Sequence, residues 1–174
     1  RYLLVSGATS ANDAFLQLRD GVSGQLKWSV PVFGFPISMK ISPDEERLYF
    51  SRWTGRSVDR PSAIVCWTVD DHQELWSVNR DVSTMLDLDK TGSHLITGGK
   101  NHTIQIWDAD SGEQLEELEG NHIDVATMVN LSHDGSRLVS RGHDVTTVWD
   151  WQRKTVIRSI PQIFPGMLPV AKLA

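Results

Sequence analysis

Ser140, His122 and Asp144 are the residue types of a hydrolase triad, in which an imidazole takes the hydroxyl proton and a carboxylate orients the imidazole. The stretch Val139-Ser140-Arg141 lacks the glycine-flanked turn that strains a nucleophilic serine into an exposed position, so catalysis at Ser140 is not expected. Metal ligation is the second chemistry to weigh, because His122, His133 and His143 occur with Asp134 and Asp144. Their spacing follows a long repeat rather than a ligand motif, and surface histidine is the expected reading. The single cysteine, Cys66, rules out an internal disulfide and any Cys-pair metal site, and reads as a small buried apolar residue. No Gly-x-Gly-x-x-Gly or phosphate-loop lysine pattern is present. The expectation is no catalytic residue, no metal and no cofactor.

Recognition is a better match to the residues present. The segment Arg52-Trp53-Thr54-Gly55-Arg56-Ser57-Val58-Asp59-Arg60-Pro61-Ser62 places a tryptophan among three arginines, the side chains most enriched at binding hot spots. Such a loop suits an acidic protein segment or a carboxylate-bearing ligand. The competing structural expectation is that Trp53 folds back onto its own sheet and the arginines solvate the loop.

The rest of the composition narrows the partner. A net charge of -5 argues against general nucleic-acid binding, and 174 residues with 40% hydrophobic content suffice for a packed core. No apolar run approaches the roughly 18 residues of a spanning helix, and Pro161, Pro165 and Pro169 interrupt the apolar C-terminal segment, so no membrane partner is expected. The opening Arg1-Tyr2-Leu3-Leu4-Val5 shows no secretory pattern and no initiator methionine, which reads as a cytoplasmic protein cut from something longer.

The elements that must carry these residues follow from an internal repeat. Ile41, Leu88, Leu131 and Leu173 are separated by 47, 43 and 42 residues, Ser6, Ser51, Thr97 and Ser140 by 45, 46 and 43, and Trp67, Trp107 and Trp149 by 40 and 42. One period reads as two short strands around the turn Ser132-His133-Asp134-Gly135, then Val145 to Trp149, a polar turn over 150–154, and the β-branched run Thr155 to Ile160. Four strands per period result. A helix over 113–119 is the alternative, but so short a run between Gly112 and Gly120 is marginal on its own.

Four-stranded periods of this length, closed at the third strand by Trp107-Asp108 and Trp149-Asp150, resemble the WD-repeat β-propeller family. The first two periods depart from its pattern, with Arg19-Asp20 and Trp67-Thr68. Their shared Gln25-Leu26-Lys27-Trp28-Ser29-Val30 and Gln73-Glu74-Leu75-Trp76-Ser77-Val78 look more like quinoprotein propellers. The resemblance implies an all-β fold of four-stranded antiparallel blades, about four blades' worth of a seven- or eight-bladed ring. The segments are a partial blade at 1–32, blades at 33–78, 79–119 and 120–160, and the first strand of a further blade at 161–174. It also implies a buried hydrogen-bond relay of His122, Ser140, Asp144 and Trp149, with the weaker set Asn79, Thr97, Asn101 and Trp107 one blade earlier.

Propeller connectivity then sorts the charges. Loops after second and fourth strands share one face, which gathers Arg52, Trp53, Arg56, Arg60, Arg80, Lys100, His102, Arg141 and His143. Loops after first and third strands form an acidic face with Asp44, Glu45, Glu46, Asp70, Asp71, Asp89, Asp108, Asp110, Glu113 and Asp134. The expected function is a protein–protein interaction scaffold whose basic loop face grips an acidic protein segment, with self-association to complete the propeller as a further partner mode. The alternative is a substrate- or cofactor-binding propeller portion of a larger enzyme. Against it, the first-strand polar positions Lys40, Asp87, Asn130 and Lys172 vary in type and offer no convergent set of catalytic groups.

Overall fold

The computed structural model describes residues 2–10, 13–55, 61–80, 85–99, 103–119, 128–142 and 145–161. Within them the chain forms fifteen strands in four antiparallel sheets. The first sheet holds β1 (Tyr2–Ser10), β2 (Asp13–Asp20) and β3 (Leu26–Val32), in that order. The second holds β4 (Phe35–Ile41), β5 (Arg47–Trp53), β6 (Ser62–Thr68) and β7 (Glu74–Arg80). The third holds β8 (Leu86–Leu88), β9 (His94–Gly98), β10 (Thr103–Asp108) and β11 (Gln114–Glu119). The fourth holds β12 (Met128–Leu131), β13 (Arg137–Arg141), β14 (Val145–Asp150) and β15 (Thr155–Pro161).

Every neighbour in a sheet is also the neighbour in sequence, so each sheet is an up-and-down meander, and the four are β-propeller blades. The first has three strands, corresponding to the second, third and fourth of the others. Residues 114–119 are strand rather than helix, because the edge of β10 offers their backbone a ladder that so short an isolated run cannot supply for itself.

Period-2 patterning explains the stacking. In β6 five consecutive residues are buried, and they alternate between two cores. Ala63 and Val65 pack with Leu16, Leu18, Leu48 and Phe50 between the first and second blades. Ile64 and Cys66 pack with Tyr49, Leu86, Leu95 and Trp107 between the second and third. A third core, around Ile96, Ile106, Leu138, Trp149 and Trp151, joins the third blade to the fourth. The outer strands β11 and β15 touch little and are largely exposed.

A recurrent irregularity sits at the repeat's tryptophan. The pairing of third with fourth strand slips by one residue between Leu18 and Arg19, Cys66 and Trp67, Ile106 and Trp107, and Val148 and Trp149. Such a bulge re-aims the bulged side chain and tightens the local twist. The extra residue lies on the fourth strand each time, at Lys27, Leu75, Leu115 and Ile157, while Trp107 and Trp149 enter the cores between blades by the ordinary alternation of the third strand.

Burial pushes the Cys66 thiol up to about 11. The native protein is therefore expected to resist alkylation by iodoacetamide at pH 8, with labelling followed by mass spectrometry appearing only where denaturant unfolds the second blade.

Candidate functional site

At the end of the blades where second strands finish, Trp53 closes β5 and pairs directly with Phe35 at the start of β4. The two rings lie 5.8 Å apart and tilted by 37°, and Trp53 remains 47% exposed. The ring thus rests on the sheet along one edge and offers a face to solvent. Its backbone is fixed on both sides. Gly34, with φ of 90°, passes so close that a Cβ there would lie 2.8 Å from Thr54 Cγ2 and 3.0 Å from the Trp53 carbonyl oxygen. The Thr54 N–H donates to Ser62 Oγ at 3.2 Å, pinning the base of the long loop. Arg52 is half-buried, between Pro36 and Ala63 in the pairing.

Arg141 ends β13 at the corresponding position and is exposed. Arg80 ends β7, crosses to the third blade, donates to the Gly98 carbonyl at 3.0 Å and to Thr97 Oγ1 at 3.4 Å, and stacks 5.0 Å from the Trp107 ring. Arg80 therefore joins two blades as well as contributing charge to this end. Arg56, Arg60, Lys100, His102 and His143 lie outside the described residues.

Behind this surface lie the indole–hydroxyl pairs. Trp149 Nε1 donates to Ser140 Oγ at 2.8 Å, and Trp107 Nε1 donates to Thr97 Oγ1 at 3.0 Å. His122, Asp144 and Asn101 fall outside the described residues. Asn79 sits in β7 opposite Ala63, and Arg80 is the residue from that strand that reaches Thr97. In the second blade Trp67 Nε1 and Ser51 Oγ are both buried without a hydrogen-bond partner among the described residues, so the corresponding pair is not made.

Between blades the fourth strands supply a second set of tryptophan contacts. Trp28 Nε1 donates to the Val69 carbonyl at 2.9 Å, with its ring edge-on to His72 at 4.4 Å. Trp76 Nε1 donates to the Ala109 carbonyl at 3.2 Å, and its ring lies where a Cβ on Gly112 would sit, 2.7 Å away. On the inner strands Asp87 ties three blades together. Its carboxylate meets Lys40 Nζ at 2.7 Å and accepts the Leu131 N–H at 2.7 Å. Nothing in the spacing announces that role, since the repeat shows only that position 87 is polar.

The turn face carries the carboxylates. Asp20 accepts from the Ser23 N–H, Asp108 from the Ser111 N–H, Asp134 from the Ser132 and Ser136 hydroxyls, and Asp150 from the Arg153 N–H. These bonds hold each carboxyl below the ordinary 3.8. At Asp89 burial opposes ionisation, but bonds from His94 and Thr91 overcome it and the net direction is also down. A carboxylate depressed in the folded state stabilises fully above its unfolded pKa and loses that contribution as pH falls through the folded value. Acid unfolding is therefore expected only below about pH 4. Asp89→Asn should flatten the acid limb of a tryptophan-fluorescence titration while leaving the neutral plateau folded.

Among the described residues no group of three or more His, Cys, Asp or Glu is placed to hold a metal ion, and no helix is long and apolar enough to cross a membrane.

No family model matches the sequence, and no curated protein matches it. By structure, 1068 solved chains match. One is hydrazine synthase from Kuenenia stuttgartiensis, with a TM-score of 0.67 and 16% identity over 89% of this chain and 48% of that one. The chain spans about half the length of that solved chain, and at this identity the likeness is one of fold.

Proposed function

We propose that the chain is a protein–protein interaction scaffold of the WD-repeat kind, whose loop face binds an acidic segment of a partner, with self-association to complete a ring as a further mode. One observation supports it above the others: Trp53 stands 47% exposed, propped on Phe35, at the start of the longest inserted loop. A rigid aromatic beside guanidinium groups is the usual anchor of a polar interface, and insertions on one face of a repeat fold carry its recognition. The indole–hydroxyl bonds of Trp107 and Trp149 favour the WD-repeat assignment, although the Trp67 pair departs from it. The role is one of binding rather than catalysis, in the cytoplasm.

Replacing Trp53, Arg56 and Arg60 together by alanine is expected to reduce partner recovery at least tenfold in a pull-down from native extract. A control triple on the turn face, Lys90, Arg153 and Glu113, should change nothing. Undiminished recovery by the loop variant overturns the reading. The second reading, a substrate- or cofactor-binding propeller portion of a larger enzyme, draws support from the solved neighbour being a hydrazine synthase. It gains if ligands of a cofactor or a catalytic domain lie in the adjoining coding sequence.

A further inference from the structure

Two of the three blade interfaces are closed by a fourth-strand indole, and the third is not. Glu116 pairs with Ile106 as Trp76 pairs with Cys66, so a carboxylate stands where the ring would be. The residues matching Ala109 and Gly112 are Trp151 and Lys154, and Trp151 brings its ring from the opposite side of the interface. The exchange leaves a cleft of about 350 Å³ walled by Ile106, Leu115, Glu116, Trp151 and Lys154, with the Asp89–His94 pair beside them.

The chemistry of the walls defines what fits. Lys154 Nζ lies 3.2 Å over the centroid of the Trp151 ring, so this aromatic face already holds a cation. The Glu116 carboxylate makes no hydrogen bond or ion pair among the described residues; burial pulls the Lys154 ammonium below its ordinary pKa, and the nearby Glu116 and Asp89 offset that only in part. Asp89 is engaged by Thr91, Ser93 and His94 of its own hairpin, which leaves Glu116 as the acceptor. A neutral ring would desolvate Glu116 without pairing it.

We infer that this cleft receives an arginine side chain of a partner protein, the guanidinium lying on Trp151 in place of Lys154 Nζ and pairing with Glu116. A guanidinium is flat, as are the indoles seated at the other two interfaces. It stacks on aromatic faces and meets a carboxylate through two parallel N–H donors, which an ammonium does not. Lys154 yields because its four-carbon stem can carry the ammonium back to water. The cleft lies between β10 and β11 on one side and the turn over 150–154 on the other, and shares no residue with the Trp53 loop, so its failure and that of the loop reading are distinguishable.

The test is two-dimensional NMR of the indole N–H signals, titrating N-acetyl-arginine methylamide, with N-acetyl-leucine methylamide and indole as comparison probes. The arginine probe is expected to move the Trp151 signal saturably. Lys154→Ala should tighten its binding three- to tenfold, and Glu116→Gln should weaken it at least tenfold while leaving the thermal midpoint unchanged. An equal response to leucine or indole, no response to arginine, or indifference to Glu116→Gln overturns the proposal.

Discussion

Asp87→Ala is expected to lower the unfolding free energy by about 3 kcal/mol, as two charge-assisted contacts between blades are lost at roughly 1.5–3 kcal/mol each and the half-buried Lys40 recovers part of its share from water. Position is what makes the loss large. Asp87 is 7% exposed, and its two oxygens reach different blades, Lys40 on β4 and the backbone of Leu131 on β12. Alanine orphans the Leu131 N–H in a place where few substitutes exist. Asp87→Asn keeps one acceptor of the same shape and should cost about half as much. Urea unfolding followed by tryptophan fluorescence measures both. An Asp87→Ala midpoint equal to that of the unaltered protein would remove the carboxylate from any role in joining blades.

Trp149→Ala is expected to cost about 3–5 kcal/mol, the usual range for deleting a buried aromatic side chain. The ring is 2% exposed and packs in the core between the third and fourth blades. Phenylalanine at the same position separates packing from hydrogen bonding. It keeps most of the volume and takes the indole donor from Ser140, for about 1–2 kcal/mol. Trp67→Phe, by contrast, should be neutral or stabilising, because the Trp67 N–H is buried without an acceptor among the described residues and Ser51 gains nothing from it. The smaller ring would also preserve the edge-on contact with Phe50, now at 4.9 Å. Opposite outcomes for two tryptophans in register are a sharp test, readable as shifts in urea midpoint. Equal losses would show that the Trp149–Ser140 bond contributes nothing specific.

The parts of this fold that the sequence reveals are those written along one strand or one hairpin. Short continuous apolar runs mark β6 and β9, and Asp-containing turns mark the hairpins whose backbone N–H groups Asp20, Asp108 and Asp134 satisfy. The repeat of Trp67, Trp107 and Trp149 locates the third strands. Contacts between blades are less legible, because they join residues that no single strand or hairpin brings together, from 17 positions apart for Arg80 to Thr97 and 33 for Trp76 to Ala109 up to 41 for Trp28 to Val69 and 44 for Leu131 to Asp87. Periodicity says that Trp28 and Trp76 are equivalent without saying that each reaches into the following blade. It equates Arg80 with the other charges of the loop face, although Arg80 spans to Thr97 and Gly98. The polar turn read over 150–154 hides Trp151, a buried residue in a segment whose neighbours are all hydrophilic. Of the candidate face, Trp53 is visible as an unusual residue in an unusual loop, and its support by Phe35 requires the register of β4 against β5.

The burial of β6 on both sides has a dynamic counterpart. A strand whose alternate residues belong to two different cores cannot open without disturbing both, whereas β15 can separate from β14 with little loss beyond its own ladder. Amide hydrogen exchange should therefore be slowest at residues 63–66 and fastest along the outer strands β11 and β15, because each amide exchanges through the smallest opening that frees it. Blades coupled only to their neighbours transmit a disturbance one interface at a time. The second and third blades, each with an interface on both sides, are the centre from which protection falls away.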